Sequence, residues 1–119
     1  MPFSEPIYVL KGDFFRVLGH PARVRILELL RDGERSVGEL QEALGLDSSG
    51  TSQHLGTLRR QGVLESRREG TSVYYSVRDP RMFQLLETAR QILSSNLADR
   101  QSLLDELQQT PRASARQRG

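Results

Sequence analysis

Ser48, Ser49, Ser52 and Gln53 place four short hydrogen-bonding side chains within six residues, and the arginine pairs Arg59-Arg60 and Arg67-Arg68 follow, with Thr71 just beyond. Glutamine can bond adenine in a bidentate way, serine can serve any base, and arginines meet phosphates. This is recognition chemistry, not bond-breaking chemistry. Nothing in the chain assembles a Ser/His/Asp or Cys/His arrangement with an orienting group, and no glycine-rich phosphate loop is present. With no cysteine, disulfides, thiolate metal sites and thiol redox sensing are excluded. The two histidines, His20 and His54, belong to different predicted elements, so no metal cluster and no cofactor site is expected.

The elements around these residues are readable from caps and periodicity. Ser36 stands three residues before Glu39 in a capping box, Leu40, Leu44 and Leu46 supply an apolar side, and Gly45 marks a stop. Asp47 is a good N-cap for a second helix that puts Thr51, Leu55 and Leu58 on one face. Its polar face, carrying Ser48, Ser49, Ser52 and Gln53, suits a DNA major groove, with Arg59 and Arg60 at the end to meet phosphates. His54 falls at the edge of the apolar face, as a structural or phosphate-bonding histidine. Gly50 costs helix stability, about 1 kcal/mol relative to Ala, and leaves room for close approach to the backbone of DNA or of a neighbouring helix. Two strands are expected at about Leu64–Arg68 and Ser72–Val77, joined by Glu69-Gly70-Thr71. Arg67, Arg68 and Thr71 are the candidate backbone or minor-groove contacts of this wing. Strand alternation lets only one of the two arginines face DNA, leaving the other solvated or paired with Glu65 or Glu69, and it divides Tyr74 from Tyr75 in the same way.

Upstream, residues 1–6 form a loose arm, and Ile7, Leu10, Phe14, Val17 and Leu18 recur at helical spacing. Gly19-His20-Pro21 is a stop and a restart, and Ala22–Arg31 reads as a nearly all-round apolar, central helix. Downstream, Asp79-Pro80 opens a last helix carrying Met82, Leu86, Ala89, Leu93 and Leu97, flanked by Phe83, Leu85 and Ile92. That helix is too apolar for one small domain to hide alone, which marks an interface. Leu103, Leu104 and Leu107 can continue it to about Gln109. The last nine residues hold three arginines and no acid, and read as a disordered basic tail. The expected organisation is an arm at 1–6, one domain at 7–97 and a C-terminal extension at 98–119.

At 119 residues the chain fits one domain, and its net charge of +2 permits nucleic acid without demanding it. No apolar run approaches the length of a membrane span, roughly 20 residues. No secretory signal is visible either. A soluble cytoplasmic protein is the expectation.

The ordered series FFRVLGHPARVRILELL, GELQEALGL, SGTSQHLGTLRRQGVL and SRREGTSVYYSV resembles the ArsR/SmtB family of winged-helix transcriptional regulators over Phe14–Val77, and the helix after Pro80 extends the likeness to about Leu97. The resemblance implies a mainly α winged helix-turn-helix, about five helices with a two-stranded wing, that binds a palindromic operator as a two-fold dimer, more often as repressor than activator. It also implies dimerisation through the first and last helices, here through Phe14, Leu18, Leu86, Ala89, Ile92 and Leu93. Metal-binding members take ligands from cysteines of the recognition region or from Asp/His/Glu pairs of the last helix. This chain has no cysteine, and its last helix has no histidine, with Glu87 and Asp99 twelve residues apart. The DNA-binding half of the family's activity is therefore implied, with sensing left to a separate effector-sensing or metal-binding partner protein, a small molecule or the regulator's own abundance. Two alternatives stand beside this reading: a direct metal sensor with non-cysteine ligands, and a winged helix used as a protein-interaction module.

Overall fold

The computed structural model describes residues 5–109, so the expectations for residues 1–4 and for 110–119, with the basic tail of the last nine residues, lie outside the described residues. Its order is α1 (Ile7–Leu18), α2 (Pro21–Leu29), a 3-10 turn (Leu30–Asp32), β1 (Arg35–Ser36), α3 (Val37–Leu44), α4 (Ser48–Arg60), β2 (Leu64–Glu69), β3 (Ser72–Val77) and α5 (Arg81–Gln109). Two compact units divide the chain, with the boundary between Phe83 and Gln84.

In the first unit, local chemistry sets each helix end. His20 caps α2, its Nδ1 accepting the Ala22 N–H at 3.1 Å, with Pro21 at the first helical position. The Ser36–Glu39 capping box is complete. Glu39 N–H donates to Ser36 Oγ at 3.2 Å. Ser36 N–H donates in return to Glu39 Oε1 at 2.9 Å. The bond from the Ser36 N–H, first among the causes, holds the Glu39 carboxyl below its ordinary value. Gly45 takes the left-handed conformation that closes α3, with φ 69°. Asp47 then caps α4 by accepting the Gly50 N–H at 2.6 Å.

The core is made by Leu18 of α1, Ile26, Leu27 and Leu30, Leu40 of α3, Thr51, Leu55 and Leu58 of α4, Val63, Leu64 and Met82. The α2 stretch is less uniform than its composition suggests. Ile26 and Leu27 are buried, while Val24 and Leu29 are half-buried. It also stops two residues short of Arg31, tightening into the 3-10 turn. Thr51 Oγ1 is buried with no hydrogen-bond partner among the described residues, a desolvated hydroxyl that costs stability.

The wing is the expected two-stranded hairpin of β2 and β3, and a short third strand joins its sheet. The short β1 pairs antiparallel with β3, placing Arg35 opposite Tyr75 and Ser36 opposite Tyr74, and the sheet order is β1-β3-β2. Between β2 and β3 the register runs from Leu64 opposite Val77 to Glu69 opposite Ser72, leaving Gly70 and Thr71 as the turn. Gly70 has φ 64°, which a two-residue hairpin loop needs and an L side chain resists. Tyr74 and Tyr75 do not divide between core and solvent; both are half-buried.

The last helix starts where Asp79 Oδ1 accepts the Arg81 N–H at 3.0 Å. The Arg81 guanidinium, also bonded to this carboxylate, holds the Asp79 carboxyl down to about 2. In the second unit α5 continues without a break to Gln109. Leu86, Ala89, Leu93, Leu97, Leu104 and Leu107 follow at steps that keep them on one face. All but the half-buried Leu86 are exposed.

Candidate nucleic-acid interface

Helix α4 is held by one face and free on the other. Thr51, Leu55 and Leu58 are fully buried, while Ser48, Ser49, Ser52 and Gln53 are all exposed. Ser49, Gln53, Gly56 and Arg60 line up opposite the buried side, at steps of four, three and four residues. This ridge is the narrow polar surface that a major groove can admit.

Its two glycines have local reasons. A Cβ on Gly50 would meet Asp47 Oδ1 at 3.0 Å, so the bare backbone there serves the N-cap bond. The nearest group to that position is the helix's own capping carboxylate. A Cβ on Gly56 would stand 2.9 Å from a terminal nitrogen of Arg60. Arg60 is thus folded back along the helix over Gly56, where it also donates to Thr57 Oγ1 at 3.3 Å. Its charge lies on the ridge as well as at the helix end.

His54 sits half-buried at the edge of this face. Its Nδ1 accepts from Arg23 Nε at 3.2 Å, and Arg23 also donates to the Val17 carbonyl at 3.1 Å. The His20 and His54 rings, far apart in sequence, lie with centroids 4.4 Å apart. Burial pushes the His54 imidazole below its ordinary value, and His20 and Arg23 push it the same way. By accepting from Arg23 through Nδ1, His54 braces α4 against α2. Both Nδ1 atoms of the pair are already engaged. Among the described residues no group of three or more His, Asp or Glu side chains gathers where it could hold a metal ion.

On the wing the two neighbouring arginines differ sharply. Arg67 donates to both carboxylate oxygens of Glu34, at 2.7 and 2.8 Å, and to Glu69 at 2.6 Å. Its guanidinium also lies 4.7 Å from the centroid of the Tyr74 ring. These bonds, Glu34 first, raise its affinity for its proton. Arg68 is exposed and has no ion-pair partner among the described residues, and Thr71 is exposed beside Gly70 at the tip. Of the two alternatives for the pair, Arg67 is the one tied to the protein's own acids. Glu69 is one of them, and Glu34 is a partner that spacing along the chain offers no reason to expect.

Of the residues expected at a dimer surface, Leu18 is buried within the first unit, whereas Phe14 is exposed, as are Ile7, Tyr8 and Phe15. In the second unit Ala89, Ile92 and Leu93 are exposed on α5.

The profile of bacterial regulatory proteins of the arsR family matches residues 20–66, which takes in α2, α3, α4 and the first part of β2. An uncharacterized HTH-type transcriptional regulator of Mycobacterium tuberculosis, Rv0081, is 51% identical over 105 residues, covering 87% of this chain and 92% of that protein. Its crystal structure covers 82% of this chain and 98% of its own, with a TM-score of 0.75 at 53% identity. The solution structure of a homodimeric winged helix-turn-helix DNA-binding domain from Mycobacterium bovis, a possible ArsR-family regulator, has a TM-score of 0.67 at 31% identity, covering 80% of this chain and 91% of its own. A probable mercury resistance operon repressor of Streptomyces lividans is 38% identical over 85 residues, 71% of this chain and 68% of that protein. No described helix is long and apolar enough to cross a membrane. The capped helix pair, the winged three-stranded sheet and these likenesses together establish that the chain belongs to the ArsR family of winged helix-turn-helix regulatory proteins.

Proposed function

We propose that this protein is a transcriptional regulator that reads a palindromic duplex as a homodimer, with the exposed ridge of α4 in the major groove. The observation that carries the reading is the division of α4, with Thr51, Leu55 and Leu58 locked in the core and Ser48, Ser49, Ser52 and Gln53 presented outward. Ser48 to Gln53 occupy the N-terminal half of the helix, the half that reaches base edges in helix-turn-helix proteins. Arg59 and Arg60 meet phosphates, Arg68 and Thr71 contact the backbone or minor groove, and Arg67 stiffens the wing. His54 works by holding α4 in place.

One recognition helix reads few base pairs, so two copies related by a two-fold axis are needed for a specific site. The exposed faces of α1 and α5 supply the second copy's contacts, with Phe14, Ala89, Ile92 and Leu93 prominent among them. Repression is the favoured outcome, as in relatives named as repressors. With no cysteine and no histidine on α5, sensing is left to a separate partner protein, a small molecule or the regulator's own abundance.

Duplex binding over a salt series tests the reading. A DNA-binding dimer loses affinity steeply as salt rises, because each arginine–phosphate contact releases counterions. A winged helix that only docks on proteins shows no such slope.

A further inference from the structure

The arginines of the described chain differ in what they hold. Arg16, Arg25, Arg67, Arg81 and Arg90 each hold a carboxylate. Arg59, Arg60 and Arg78 hold none among the described residues, and these three line one cleft. The cleft has a volume of about 260 Å³ and lies between the last turn of α4 and the root of the wing, with Leu64, Glu65 and Ser66 completing its wall. Leu64 is a buried apolar floor, and Ser66 is a half-buried residue with a hydroxyl to donate. A main-chain bond fixes the backbone of the third arginine. Arg78 N–H donates to the Val63 carbonyl at 3.0 Å, and Gly62, with φ 78°, brings the preceding turn beside the Arg78 guanidinium. Glu65 is the single carboxylate among the lining residues, beside three arginines, so the lining residues carry a net charge of two positive.

We propose that this cleft is an oxyanion seat that takes a phosphoryl group, with Arg78 as the guanidinium that completes it. Planar guanidinium forks match phosphate oxygens, and a doubly charged phosphoryl group balances the charge of the wall. The group can come from a free phosphorylated compound or from the backbone of a bound duplex. The seat shares Arg59 and Arg60 with the DNA-binding reading, but its occupancy is measured without DNA, so the two can fail separately.

The experiment is calorimetric titration of the full chain with inorganic phosphate and with pyrophosphate at fixed ionic strength. Arg78→Gln is the test variant. Arg31→Gln, which removes another exposed arginine without a carboxylate partner among the described residues, is the control. Expected is saturable binding that Arg78→Gln weakens about tenfold or more and Arg31→Gln leaves unchanged. The same variants titrated with duplex DNA identify the source. If a free phosphoryl compound is the ligand, Arg78→Gln leaves duplex affinity within about twofold, and pyrophosphate binds the protein–DNA complex. If a backbone phosphate fills the seat, Arg78→Gln weakens all duplexes by one common factor, and pyrophosphate competes with DNA. The proposal is overturned if Arg78→Gln and Arg31→Gln behave alike in both titrations. A chain that binds pyrophosphate but no duplex would remove the DNA-binding reading and leave this seat standing.

Discussion

Glu34, in the loop before β1, receives Arg67 of β2 through both carboxylate oxygens, at 2.7 and 2.8 Å, although the two residues are distant in sequence. That bond separates Arg67 from its neighbour Arg68. One arginine braces the wing, and the other is left free to meet a phosphate.

The wing therefore makes an unequal prediction. Arg68→Ala should lower affinity for all duplexes by a similar factor and reduce the salt slope by about 0.9 for each phosphate no longer bound. Arg67→Ala should lower the melting temperature slightly while changing the salt slope much less. Salt titrations of the two variants check this, and equal slopes would remove the distinction.

At the start of α4, Gly50 and Asp47 should be coupled. Gly50→Ala gains helix propensity, about 1 kcal/mol. Its Cβ, however, crowds the capping carboxylate 3.0 Å away. In the native background the two effects should nearly cancel. In an Asp47→Ala background, itself destabilised by about 0.5–2 kcal/mol, the same change should be stabilising. A double-mutant cycle by denaturant unfolding measures the difference, and simple additivity would rule out the crowding.

The helix ends were legible in the sequence because caps are local: Ser36 with Glu39, Gly45 and Asp47 each act within four residues. The core face of α4 was legible for the same reason, through the spacing of Thr51, Leu55 and Leu58. Strand β1 was not. Two residues carry no period, and Arg35 and Ser36 become a strand only by pairing with Tyr75 and Tyr74. Nor could sequence bring His20 to His54, or Glu34 to Arg67, since each pair meets only once separate elements pack. The role of Gly50 was hidden because the atom it accommodates belongs to a side chain folded back from three positions earlier.

Acid should loosen the brace on α4. His54 takes up its proton less readily in the folded chain than in the unfolded one, through burial first and then His20 and Arg23. The unfolded state thus binds more protons as pH falls below the ordinary histidine value of about 6.5. Stability from this group is complete above that pH and declines below it, levelling once the folded-state value is passed. Melting curves between about pH 5 and pH 7 should show the decline, and His54→Gln should flatten it. An equal slope in the variant would assign the effect elsewhere.

The dimer should depend on α5. Leu93 is 61% exposed in the single chain. Burying a leucine contributes about 1.5–3 kcal/mol. Leu93→Glu should yield monomers in sedimentation and lose tight duplex binding at the same time. A variant that stays dimeric would put the interface on another surface.

The most direct measurement is the affinity of the protein for a duplex selected from a randomised pool, set against a random duplex over a salt series. Expected is a selected sequence with two-fold symmetry, binding that weakens steeply with salt, and a preference over random DNA. Gln53→Ala should cut that preference by about 1–3 kcal/mol at one base pair per half-site. A protein that enriches no duplex, or holds selected and random DNA equally at every salt concentration, would contradict sequence reading by α4.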